Sequence, residues 1–150
     1  MNKLDRAQFD LINLPIHKDW DLVLLQEPYI DTLGNMKANS KWHTIYPSAH
    51  LTDDTTNRSV ILVNMALNTN SWTQMPFEDS NDVTIIQFRL PQGQLTILNI
   101  YNDCMHSLTL DKIHWHLTCH AAGYLASGSD RMLWCSDFNR HRPLWDEEHN

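Results

Sequence analysis

The hydrophobic period of this chain changes several times, and each change marks an element. Between residues 4 and 14, Leu4, Ala7, Leu11 and Leu14 recur at spacings of three and four, which predicts an amphipathic helix. Pro15 then forbids its continuation, having no N–H to give and a ring that clashes with the preceding turn. From Asp21 to Pro28 (DLVLLQEP) the apolar positions are consecutive, the pattern of a strand buried on both faces and cut off at the proline. Residues 31–57 mix Asp, Thr, Asn, Gly and Pro and predict loop, with one short strand around Trp42 to Tyr46. Arg58 to Asn64 (RSVILVN) predicts a second buried strand. Val83 to Leu90 and Leu95 to Tyr101 are β-rich runs joined by Pro91-Gln92-Gly93-Gln94, a hairpin signal. Ser107 stands at the N-cap of a helix whose stripe is Ile113, Leu117, Ala121 and Tyr124. Ser127 to Asp130 ends that helix, and Met132 to Cys135 opens another buried strand. Helices mixed with buried strands and a hairpin predict an α/β layered sandwich with a mixed sheet.

Composition narrows the class. The 150 residues are 42% hydrophobic and 19% charged, which suits a globular core and not a disordered segment. No Gly/Ser linker, repeat or low-complexity tract divides the chain, so residues 1–150 read as one domain. The longest aliphatic runs, Leu22 to Leu25 and Val60 to Val63, are far shorter than the roughly 18 residues of a membrane span. Asp5 falls where a signal peptide carries its apolar stretch, so membrane and secretory readings are set aside. Three cysteines (Cys104, Cys119, Cys135) leave one unpaired in any disulfide scheme and lack CxxC spacing. They read as reduced thiols of an intracellular protein, with the nucleus open as its compartment. Eleven Lys and Arg against eighteen Asp and Glu give −7, which argues against a nonspecific duplex coater. An enzyme that meets phosphate through a metal ion remains compatible with that charge.

The candidate chemistry lies at strand ends. Glu27 closes the first apolar strand, Tyr101 closes the second arm of the hairpin, and Asp137 and Asn139 follow the last strand. Period-two geometry puts Asp137 and Asn139 on one side and turns Phe138 into the core. A carboxylate leaving an apolar strand is expensive to desolvate unless a cation or donors meet it. Two such carboxylates with an Asn and a Tyr would suit a hard divalent cation, since magnesium takes one or two carboxylates and fills its shell with water and phosphate. Solvated acids at loop entrances are the plainer alternative. Arg58, Arg140 and Arg142 are candidates for gripping phosphates beside Asp137, or else solvated or structurally paired arginines. His114, His116, Cys119 and His120 crowd one helix but lack HExxH and finger spacing, so an ordinary half-exposed histidine-rich face is favoured over a zinc site. The six Trp are read as packing, with Trp145 the one worth testing for base stacking.

LQEPYI (residues 25–30), LNIYND (98–103) and WCSDFNRHRPLWDEEHN (134–150) resemble the endonuclease/exonuclease/phosphatase superfamily. Within it, the phrase RPLWD after DFN is similar to the apurinic-endonuclease-like domain of non-LTR (LINE-type) retrotransposons. The resemblance implies a deoxyribonuclease-I-like α/β sandwich, with mixed sheets flanked by helices. It implies Glu27 as ligand of a magnesium (or manganese) ion, Tyr101 as a contact to the scissile phosphate, Asp137 as the group that orients the attacking water, and Asn139 as a phosphate holder. Arg140 and Arg142 become substrate-binding candidates. Such a site acts by positioning and charge stabilisation, without a nucleophilic side chain.

Three departures accompany the resemblance. The family's early metal-site Asn belongs to a strand ahead of the opening helix, and Asn2 matches only a neighbouring position. Ser136 stands where the family has Gly. The closing strands that carry an Asp and a His have no counterpart, and His149 lies too near DFN to serve. The expectation is therefore a partial domain, incomplete at its N- and C-terminal strands. It would be a DNA-nicking nuclease of weak or no activity by itself, with a reverse transcriptase in a longer parent protein. An inert remnant or interaction module of the same fold, and a phosphoesterase acting on a small phosphate ester, are the alternatives.

Overall fold

The structure, a computed structural model, describes residues 3–50, 56–78, 80–103 and 106–137. In chain order its main elements are α1 (Lys3–Asn13), β1 (Leu22–Gln26), β2 (Trp42–Ile45), β3 (Ser59–Asn64), β4 (Trp72–Met75), β5 (Val83–Leu90), β6 (Gly93–Tyr101), α2 (Leu108–Tyr124) and β7 (Arg131–Asp137). The strands form two sheets. One is antiparallel with order β1-β3-β2, and the other has order β4-β5-β6-β7, with β7 parallel to β6. A parallel pair needs a long crossover, and α2 supplies it.

Period two along the central strands sorts their side chains into layers. On β3, Val60 and Leu62 face α1 and join Ile12, Met36 and Trp42, while Ile61 and Val63 face the second sheet and meet Ile86 and Ile97. On β5 and β6, Val83, Ile85, Leu98 and Ile100 face the other way and pack under Ile113 and Tyr124 of α2. The order of layers is therefore α1, first sheet, second sheet, α2. The α/β sandwich expected from the sequence is the observed fold.

Several details depart from the pattern reading. The strands β1 and β7 are not buried on both faces. All five residues of β1 are half-buried, and Leu133 and Trp134 of β7 are 50% and 41% exposed. Among the described residues each pairs on one side only, so an apolar run here marks a sheet edge and not a sheet centre. On α1 the buried residue is Ile12, while Ala7 and Leu14 are exposed, because the helix ends at Asn13 and Leu14 is already extended. On α2, Ala121 is exposed, and the backbone leaves helical geometry at His120 so that Tyr124 can turn inward. Ser107 occupies the N-cap position without a side-chain capping bond. The strand β4 carries no sequence signal, since in WTQM two exposed polar residues separate Trp72 from Met75 and no period of two shows.

The β5–β6 turn places Leu90 opposite Gly93, whose φ is +146°. A Cβ there would stand 2.8 Å from Asp130 Oδ1 and Ser129 Oγ, so glycine is required. Asp130 in turn accepts bonds from the Gln94 N–H (2.9 Å) and from the N–H and hydroxyl of Ser127 (2.8 and 2.9 Å). One carboxylate thus ties the hairpin to the turn that launches β7.

Candidate active site

The ends of β1, β6 and β7 and the starts of β3 and β5 lie together at one end of the sandwich. Glu27 follows β1, and its backbone N–H donates to the Arg58 carbonyl at 2.9 Å, one step past the end of the β1–β3 ladder. The Arg58 N–H donates to the Asn81 carbonyl at 2.8 Å, and the Tyr101 N–H to the Asp82 carbonyl at 2.8 Å. These bonds continue the pairing past the regular strands and hold Glu27, Arg58, Asp82 and Tyr101 as neighbours.

Glu27 is the one non-glycine residue with positive φ among those described, at +48°. For an L-residue that geometry costs on the order of 1–2 kcal/mol and persists only where its surroundings over-determine it. Here they do. On one side, Gln26 is laddered to Ser59, and its side chain donates to Asn99 Oδ1 at 3.3 Å. On the other, Pro28 is buried, and the Gln8 side chain of α1 clips both backbone groups of Tyr29, accepting from its N–H at 2.7 Å and donating to its carbonyl at 3.2 Å. The carboxylate of Glu27 is thereby aimed outward, exposed, at the mouth of the two sheets.

Tyr101 is buried, and its hydroxyl is hydrogen-bonded to Glu27. That bond, then burial and the Glu27 charge, push its pKa up to about 12, the Arg58 cation pulling the other way. The phenol therefore stays protonated, a donor, throughout the neutral range. The guanidinium of Arg58 lies over the Tyr101 ring, 4.7 Å from its centroid, and makes a two-point ion pair with Asp82 (2.7 and 3.0 Å). Burial works against the charged form of Arg58, but the Asp82 hydrogen bond and the surrounding acidic charge outweigh it and raise its pKa.

Beneath this surface a polar seam joins the sheets. Asn99, fully buried on β6, donates to the carbonyls of Leu25 (2.8 Å) and Val60 (3.1 Å) in the opposite sheet. The Ser59 hydroxyl donates to the Asn99 carbonyl at 2.9 Å, and Thr84 Oγ1 donates to the Ser59 carbonyl at 2.8 Å. The pattern reading passed over Gln8, Asp82 and Asn99. Asn99 was detectable as an amide within the apolar stretch Ile97 to Ile100, where a buried polar group must find partners.

The structure brings together Glu27 and Tyr101 of the expected set. Asp137 ends β7 at the register position of Tyr101, so its backbone lies at the same end. Phe138, Asn139, Arg140, Arg142, Trp145 and His149 lie outside the described residues, as does Asn2. On α2, His116 Nε2 lies 2.7 Å from the Tyr124 hydroxyl, with its ring against Phe77 and His120. Those contacts line a groove of about 750 Å³ on the far face of the second sheet. Burial first, then His120, lower the pKa of His116. Among the described residues no three His, Cys, Asp or Glu side chains converge to cage a metal, and no helix is long and apolar enough to cross a membrane.

No protein-family model matches the chain, and neither does any curated protein. A solved structure does: "Endonuclease domain of TRAS1, a telomere-specific non-LTR retrotransposon", with a TM-score of 0.62 at 18% identity. The two share a fold. The similarity covers 96% of this chain and 57% of the other, so this chain spans a little over half of that endonuclease structure. The architecture that the motifs implied is thus found in a retrotransposon endonuclease domain.

Proposed function

We propose that this chain is the nuclease module of a LINE-type element, a magnesium-dependent phosphodiesterase that nicks DNA. One observation carries the reading: an outward carboxylate, Glu27, held in a strained backbone and hydrogen-bonded by the Tyr101 phenol, at the ends of strands from the two facing sheets. Strain of this kind concentrates at functional sites. The fold shared with a retrotransposon endonuclease domain supports the same reading.

The donor chemistry fits a magnesium ion. Glu27 offers a hard, exposed carboxylate, and this ion commonly takes one or two protein carboxylates and completes its shell with water and phosphate oxygens. When bound, the ion supplies Lewis-acid polarisation of the phosphoryl oxygen and stabilises the leaving oxygen. The rest falls to side chains. Tyr101 fixes the Glu27 carboxylate with its single O–H and, remaining protonated, can instead turn that donor to a phosphate oxygen once a metal ion holds the carboxylate. Asp137 is proposed to orient the attacking water, and Asn139, Arg140 and Arg142 to hold the phosphate and flanking strand. The reading extends to a longer protein that carries a reverse transcriptase and works on chromosomal DNA in the nucleus.

The test is nicking of supercoiled plasmid by purified residues 1–150 in Mg²⁺ (or Mn²⁺) and in EDTA, beside Glu27→Ala. Metal-dependent conversion to open circle that Glu27→Ala abolishes is the expected result. Conversion that survives in EDTA, or in the variant, would overturn the assignment.

A further inference from the structure

The geometry points to Arg58 as an anion-gripping residue of this site, presented to a phosphodiester of the bound DNA by an Asp82–Thr109 anchor. This deepens the nuclease reading and rests on it. Arg58 has the makings of a mounted fork. Its backbone is hydrogen-bonded on both sides, to Glu27 and to Asn81, so its position is fixed before its side chain does anything. Asp82 takes Nε and Nη2 at 2.7 and 3.0 Å, which uses two of the five N–H groups of a guanidinium. The Tyr101 ring supports the plane of the fork from one face.

Exposure shows which partner is anchor and which is working end. The Asp82 side chain is 14% exposed and also accepts from the Thr109 hydroxyl at 3.1 Å, in the first turn of α2. The Arg58 side chain is 38% exposed. Here the acid is built into the fold and the cation leans out of it, beside the Glu27–Tyr101 pair. A planar guanidinium with its remaining N–H groups toward solvent matches two phosphate oxygens. In a site that also gathers Glu27, Asp82 and Asp103, a fixed cation is what lets a polyanion approach at all.

The experiment is fluorescence anisotropy of a labelled 20-base-pair DNA duplex with the full chain in EDTA, across a salt series. Arg58→Ala leaves Asp82 without its cation, so the double variant Arg58→Ala/Asp82→Asn removes both charges together, with circular dichroism as the check on folding. Arg58→Lys keeps the charge and loses the fork. The expected result is affinity about tenfold weaker in the double variant, the loss of one charge-assisted contact. Its salt slope should be shallower by about one, and Arg58→Lys should fall between it and the parent. A folded double variant, or Arg58→Lys and Arg58→Ala alike, binding as tightly as a parent that does bind would overturn the Arg58 assignment alone. A parent chain that binds no duplex at all would sink the nuclease reading and this inference with it.

Discussion

Removing the Asn99 side chain should loosen the sandwich at the point where the site is built. The amide is fully buried and makes three hydrogen bonds, two given to the Leu25 and Val60 carbonyls and one received from Gln26. Each such bond is worth about 0.5–1.5 kcal/mol net. Asn99→Ala forfeits all three and leaves a small void, so the expected loss is about 2–4 kcal/mol. For a domain of this size that is a large share of the typical 5–15 kcal/mol, and about 5–12 °C in Tm. The measurement is urea unfolding followed by fluorescence, with the midpoint falling and the m-value unchanged. Asn99→Asp should be worse than Asn99→Ala, because a carboxylate offers no donor to the two carbonyls and buries charge among them. A loss below about 0.5 kcal/mol for Asn99→Ala, or a more stable Asn99→Asp, would refute the view that this amide bolts the sheets together.

Three further outcomes follow from the same geometry. Glu27→Gly relieves the positive-φ strain, since glycine adopts that backbone freely, but gives up the Tyr101 hydrogen bond, worth about as much, so Tm should change little while Mg²⁺ binding by calorimetry is lost; Mg²⁺ binding as tight as the parent's would refute the ligand assignment. The Tyr101 phenol, hydrogen-bonded to Glu27 and raised to about 12, binds its proton more tightly folded than unfolded. Its contribution is therefore complete below pH 10 and is lost as pH rises toward 12, so Tyr101→Phe should flatten the alkaline limb of a Tm-against-pH curve, and an unchanged limb would contradict the bond. The Asp130 carboxyl is held below its usual range, first by the Gln94 N–H and then by that of Ser127. Its contribution is present above the unfolded carboxylate range and lost as pH falls through the folded value, so Asp130→Asn should flatten the acid limb instead.

Much of this architecture is legible in the chain because burial writes a period into it. RSVILVN could only be a strand covered on both faces, and β3 is buried at every residue. LVLLQ carries the same signature, yet β1 is half-buried along its length, because hydrophobicity records what a strand packs against and not whether a neighbour pairs with its edge. The stripe on α2 misled at Ala121 for a different reason: the kink at His120 shifts the helical phase by the time Tyr124 is reached, and no single-residue signal announces it.

The candidate site was half legible for a related reason. Glu27 and Tyr101 stand out because each closes an apolar strand, and a polar group there has to be accounted for. What holds them does not stand out. Gln8 sits in a helix 21 residues from the backbone it clips, and Asp82 meets Arg58 across 24 residues and Thr109 across 27. None of these pairings has a local spacing to read, because each exists only after the sheets have stacked. Asn99 shows as an amide in an apolar stretch, but its partners do not. It reaches back 74 residues to Leu25, and by doing so fixes the strand end from which Glu27 projects. The residues with a chemical motive announce themselves in the sequence; the residues that aim them are defined by the fold. A substitution far from Glu27 along the chain, such as Asn99→Ala, can therefore disable the site as thoroughly as one that strikes it.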